Sequence, residues 1–379
     1  MRTRFIHLTA HCLTLAGLLL AAPRVGHADL TDLFQPGLPD WVSSMASDAG
    51  PSDCWGPVDC TPAMLGDTFV GLLDINTDND GILSAGRIPF PGGSNRLVIA
   101  RNNSALVRDR FYVAYEHTTG ALSASSQSVM SNNASLDRTI LGLEKVFLDG
   151  QASLEIRLPF AAQRDFTFNR FSIQGDGEFG NVGLIGKLQL AKTENNVVSA
   201  GLAVQLPTGG DINGEFDSRA FTIVNDAVII SPFLAFAATP DSNWFYQGFA
   251  QADFTAKGNT FSGLGQSTEF DSQSLLRLSG GGGRWFFRKN QGLLRGLAGL
   301  AELHFTTTLE DSDSTTLVSM ASAQTLSNVE RHQSVLNLTS GLHLELPGKA
   351  NARVGVNVPL RDDQRFHDAT LMVQVNIPL

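Results

Sequence analysis

The chain ends in ten alternating residues: Leu371, Val373, Val375, Ile377 and Leu379 share one parity, and Thr370, Met372, Gln374, Asn376 and Pro378 share the other. Successive side chains of a strand point to opposite faces, so this segment has one apolar face and one mostly polar face. A tilted strand of about 9–11 residues is long enough to cross hydrocarbon, with its faces meeting lipid and lumen in turn. The pattern predicts the last strand of a closed barrel.

The opposite end predicts export. Arg2 and Arg4 form a basic start, Cys12 to Ala22 is an apolar run, and Gly26, His27 and Ala28 form a small-x-small cleavage site. That order is a secretory signal peptide, so residues 1–28 are set apart from the fold. The apolar run is too short to span a membrane and is followed by Pro23. Past it no stretch of eighteen apolar residues exists, which leaves strands as the only means of crossing. The signal holds three of the 27 Lys and Arg and none of the 37 Asp and Glu, giving 24 against 37, or −13, for the mature chain. Such acidity argues against nucleic-acid binding.

Cys54 and Cys60 are the two cysteines left after cleavage. An even, closely spaced pair in an oxidising compartment predicts a disulfide closing a small loop. They sit in the Pro- and Asp-rich segment 29–66, which lacks lipid-compatible alternation and carries Trp41 and Trp55. This segment is expected at or inside the periplasmic mouth of the barrel 67–379.

Strand signals recur at 108–117, 138–147, 150–160, 181–192, 197–206, 228–238, 243–254, 273–288, 291–306, 333–346, 350–360 and 368–379. Short turns, such as Leu148-Asp149-Gly150 and Pro347-Gly348-Lys349, alternate with long Ser-, Thr-, Asn- and Gly-rich loops. Outer-membrane barrels have this asymmetry, with tight periplasmic turns and long extracellular loops. Adding 68–74 as an upward strand and 94–102 as a downward one gives fourteen antiparallel strands with both termini periplasmic. Twelve is the alternative, if 68–102 folds as rim or plug.

The charged parity marks the lumen, because a charge facing lipid near the midplane costs roughly 2–4 kcal/mol. By that rule the inward set comprises Arg110, Glu116, Glu155, Arg157, Lys187, Gln189, Gln205, Gln247, Gln251, Asp253, Arg277, Glu302, His304, His343, Glu345 and Arg353. Lys145 and Arg295 break the pattern and are expected at the short-turn rim, where long basic side chains snorkel. At 276–287 the parity slips from Leu276 and Leu278 to Trp285 and Phe287, which predicts a bulge at Gly280–Gly283.

Two stretches, RLVIARNNSALVRDRFYVAYEH at 96–117 and LGLEKVFLDGQASLEIRLPF at 141–160, resemble a family of outer-membrane β-barrel proteins present in many copies in planctomycete-type bacteria. More loosely, the mature chain is similar to barrel porins associated with uptake of aromatic compounds. The resemblance implies a barrel and brings no catalytic residues with it. Leu379 departs from the aromatic terminus common in that class.

These readings point to an outer-membrane, porin-like passive channel for small solutes, with lipid and the barrel-assembly machinery as partners and no cofactor. A structural or adhesive surface barrel without an open pore is the alternative. Glu302 with His304, and His343 with Glu345, share faces, but no GxSxG elbow supports an enzyme. Asn76, Asp78, Asp80 and Gly81 match the first half of a calcium loop, whereas Arg87 stands where the bidentate Glu belongs. An Asn- and Asp-rich turn is the simpler reading, and no metal is assigned.

Overall fold

The computed structural model describes residues 57–68, 72–77, 84–89, 96–126, 129–162, 166–168, 171–174, 179–216, 218–263, 265–310, 314–318, 323–328, 334–361 and 365–379. Residues 1–28 and Cys54, and with them the signal-peptide reading and one half of the cysteine pair, lie outside the described residues. Cys60 is disulfide-bonded.

Twelve antiparallel strands close a barrel: β1 (Arg110–Ser126), β2 (Val129–Phe147), β3 (Ala152–Ala162), β4 (Val182–Lys192), β5 (Asn196–Leu206), β6 (Val228–Ala238), β7 (Trp244–Lys257), β8 (Leu275–Arg288), β9 (Gly296–Thr308), β10 (Ser334–Glu345), β11 (Asn351–Pro359) and β12 (Ala369–Pro378). Each pairs with its neighbour in sequence. β12 then pairs with β1, with Ile377 opposite Phe111 and Val375 opposite Val113. Closure leaves no unpaired edge among these twelve, which removes the aggregation hazard of an open sheet. The alternating C-terminal segment is the element that completes the ring.

Both strands added to reach fourteen lie elsewhere. β1 already takes the free edge of β12, so no edge remains for 94–102, and residues 96–109 run inside the barrel. Leu72–Thr77 pairs with Ser84–Pro89 as a hairpin beyond the barrel rim, where Ser84 lies opposite Ser126 of β1. The long loops also continue as hairpins, at Phe166–Phe168 with Phe171–Gln174, Ile212–Phe216 with Arg219–Val224, Asn259–Gly263 with Gln266–Phe270, and Ser314–Val318 with Ala323–Asn328. The first three of these pair side by side into one sheet. The last pairs with Leu72–Thr77, so the hairpin that precedes β1 in sequence is stitched to one that follows β9. Together they form a crown on the long-loop side.

The outer wall is apolar. Leu154, Leu202, Leu234, Phe254, Leu278, Leu303, Leu342, Val356 and Leu371 are exposed on it, while the alternate positions are buried. Phe147, Trp244, Tyr246 and Phe286 are exposed near the short-turn rim, the placement of an interfacial aromatic girdle. Arg284 lies there too, over the Trp244 ring at 5.5 Å. Lys145 and Arg295 are at this rim as expected: Lys145 pairs with Asp109 at 3.1 Å, and the Arg295 carbonyl accepts from the Lys289 amide across the β8–β9 turn. Among the described residues no helix is long and apolar enough to cross a membrane.

The bulge in β8 is displaced from its predicted place. Pairing with β9 runs unbroken through Gly280–Gly283 and shifts between Trp285 and Phe287. Trp285 therefore points inward, 5% exposed, with its ring 5.4 Å from His343 and edge-on. The glycines serve close approach instead: a Cβ on Gly281 would sit 2.7 Å from the Glu302 side chain, and one on Gly283 would sit 2.3 Å from the Phe245 ring.

Candidate functional site

Two chain segments thread the lumen. Residues 57–68 start at the short-turn rim, where the Val58 amide donates to the Glu194 carbonyl at 3.1 Å. Residues 96–109 return to that rim, where the Leu379 amide donates to the Asp109 carbonyl at 3.2 Å and β1 begins. The Met64 amide donates to the Asn103 carbonyl at 2.8 Å and ties one segment to the other. Val58, Met64, Leu65, Val98, Ile99 and Leu106 are all at most 3% exposed. Burying each such side chain contributes about 1.5–3 kcal/mol, so the segments bring their own apolar core into a polar tube.

The inward side chains of the barrel hold these segments mainly through backbone atoms. Glu302 accepts from the amides of Leu65 and Gly66 at 2.8 and 2.9 Å. Gln251 accepts from the Ile99 amide at 2.9 Å and donates to the Leu97 carbonyl at 2.7 Å, while Gln205 accepts from the Leu97 amide. Arg157 donates to the Val98 carbonyl, and Lys187 donates to the carbonyls of Ser104 and Leu106. Arg353 donates to the Ala63 carbonyl and to the Asn102 side chain. Peptide groups removed from water need such partners, because an unmet one costs about 1–3 kcal/mol.

The buried charges also pair with one another, some of them while holding a backbone carbonyl as well. Arg110 pairs with Glu144 at 2.7 Å, Glu155 with Arg157 at 2.6 Å, Glu116 with Arg101 at 2.7 Å and with Arg138, and Asp253 with Arg277 at 2.9 Å. Among the described residues the buried charges comprise eight Arg and Lys against six Asp and Glu, so this part of the interior leans positive inside an acidic chain. His304 lies 3.3 Å from Glu302 and 3.0 Å from the Ser279 hydroxyl. Gln247 is buried beside these networks.

Two members of the expected inward set sit at the rim. Gln189 donates to the Gly150 carbonyl at 2.7 Å, and Glu345 pairs with Arg288 at 3.3 Å. The histidines do not converge: on β9, His304 lies opposite Asn337, whereas His343 lies opposite Ala298. Six positions separate those registers, roughly 20 Å of strand rise. Asn76 is a strand residue opposite Ala85 and Thr325, while Asp78 and Asp80 lie outside the described residues. Among the described residues no group of three or more His, Cys, Asp or Glu could hold a metal.

Sequence reasoning passed over Arg138 and Glu144, although they share one parity of β2, the parity opposite to Leu141 and Leu143. Asp67, Arg101 and Asn102 were out of reach of parity, since they lie in the threaded segments. Asp67 accepts from Asn337 and Asn357 at 2.8 and 3.1 Å.

A cavity of about 370 Å³ opens at the short-turn mouth. Its wall includes Asp59 and Thr61 of the first segment, Arg108 of the second, and Arg295, His343 and Arg353 of the barrel.

No family model matches the chain, and no curated protein matches it. Several solved structures resemble it distantly. The NanC porin aligns at 6% identity and a TM-score of 0.42, covering 71% of this chain and 100% of that one. An outer-membrane channel from Pseudomonas putida F1 aligns at 11% identity and 0.44, covering 84% and 99%. The outer-membrane channel DcaP of Acinetobacter baumannii aligns at 10% identity and 0.27, covering 81% and 83%. Similarity at this depth does not bear on function.

Proposed function

We propose that this chain is an outer-membrane β-barrel, exported by its N-terminal signal and inserted by the barrel-assembly machinery, that passes small solutes through a lumen narrowed by its own N-terminal segments. One observation carries the reading: a closed twelve-stranded wall, apolar outside and charged inside, encloses residues 57–68 and 96–109 through hydrogen bonds and ion pairs. Bonds of that kind can be exchanged one by one for water, so the occupied lumen is compatible with a conducting state. On this reading the short turns face the periplasm and the crown faces outward.

A sealed structural or adhesive barrel is the second reading. It draws support from the same contacts, because so many inward side chains are engaged with the threaded segments. Conductance in planar bilayers separates the two. The channel reading expects stepwise conductance from the full mature chain and larger steps after deletion of 29–66, which removes residues 57–66 of the first threaded segment. A deletion protein that assembles yet stays silent would refute the channel and leave the sealed barrel.

A further inference from the structure

The cavity at the short-turn mouth has a charge that the chain as a whole does not. The full sequence carries a formal −10, yet among the described residues the cavity wall holds seven Arg and Lys against three carboxylates. Each carboxylate already has a cation: Asp59 has Lys192 at 2.6 Å, Asp109 has Lys145 at 3.1 Å, and Glu345 has Arg288 at 3.3 Å. Arg110 of the same wall is taken up by Glu144 at 2.7 Å, so Arg295 and Arg353 set the character of the space.

Arg353 is the centre of the argument. It is 1% exposed, it donates to the neutral Ala63 carbonyl and the Asn102 amide oxygen, and its Nε has no hydrogen-bond partner among the described residues. The Nε of Arg295 and the Nδ1 of His343, both on the same wall, also lack partners among the described residues. A guanidinium withdrawn from water toward neutral oxygens retains much of its desolvation cost. An anion offsets that cost through charge-assisted hydrogen bonds, whereas a cation adds repulsion and a neutral solute leaves the charge unmatched. The volume, about 370 Å³, lies at the lower end of the range of roughly 300–1,000 Å³ typical of small-molecule sites.

We propose that this cavity binds a small oxyanion, a carboxylate or phosphate group, between Arg353, Arg295 and His343. The site is independent of conduction, since a sealed barrel would contain it equally. Titration calorimetry on the full mature chain in detergent tests it, with succinate and inorganic phosphate as probes and putrescine as the cationic control. Saturable binding of at least one anion is expected, with none for putrescine. Arg295→Gln should weaken binding tenfold or more. Arg353→Gln should do the same, provided circular dichroism shows an intact barrel; Arg295→Gln keeps the test sharp because it spares the contact with Ala63. Absence of saturable binding by both anions, or wild-type affinity in both variants, would overturn the proposal.

Discussion

Replacing Glu302 with alanine isolates the grip of the barrel on its first threaded segment. Its two carboxylate oxygens accept from the Leu65 and Gly66 amides at 2.8 and 2.9 Å, and it is 2% exposed. A hydrogen bond to a charged group contributes about 1.5–3 kcal/mol, so the pair of bonds is worth at most about 6 kcal/mol. Truncation also strands two buried amides, while water admitted to the space returns part of the loss. A net cost of about 3–4 kcal/mol to the closed segment is the reasonable middle, equivalent to a factor of several hundred in the open-to-closed ratio. Neighbouring anchors remain, because Gln374 donates to the Leu65 carbonyl at 2.7 Å and Thr339 to the Gly66 carbonyl at 3.0 Å. The barrel itself should still assemble. Hydrogen exchange resolved at Leu65 and Gly66 measures the effect, with protection expected to fall at least a hundredfold while amides in β9 and β10 keep theirs. Unchanged protection at both amides would refute the idea that this carboxylate holds the segment, and equal loss across the strands would show a global effect.

Two further outcomes follow from local geometry. Gly142→Ala in β2 would place a Cβ 2.0 Å from the Tyr112 ring and force out a tyrosine whose hydroxyl donates to Glu155 at 2.6 Å; overpacking of this kind costs about 1–3 kcal/mol, and a thermal midpoint equal to wild type would contradict the packing. Outside the barrel wall, hydrogen bonds from Ser274 hold the Glu310 carboxyl below its ordinary pKa of 4.5. The folded value is depressed, so this contribution is present above the ordinary value and lost as pH falls through the lower one. The Ser274 amide chemical shift should accordingly titrate with a midpoint under 4.5, and a midpoint at or above it would refute the bond.

All twelve barrel strands were legible in the chain because alternation with period two survives wherever one face meets an apolar medium and the other does not. Leu154, Ile156 and Leu158 against Ser153, Glu155 and Arg157 is enough to fix both faces of β3. Tight turns such as Pro347-Gly348-Lys349 were equally plain, since Gly348 at φ 68° and Lys349 at φ 61° adopt a backbone shape with its own residue preferences. Of the crown only Leu72–Thr77 overlapped a segment read as a strand; its other hairpins were hidden because long polar loops give no periodic signal.

Strand count was decided by closure. Residues 94–102 read as a short strand, and only the pairing of β12 with β1 shows that no edge was left for them. The same holds for the lumen: parity identified Glu302, Gln251 and Arg353 as inward side chains, but their partners are backbone atoms of Leu65, Ile99 and Ala63, up to 290 residues away. Sequence by itself determined which side chains turn inward, because that follows from strand geometry within each segment. Tertiary structure alone decided what they meet there, because a peptide amide or carbonyl is the same at every position and carries no residue signature of where it will dock.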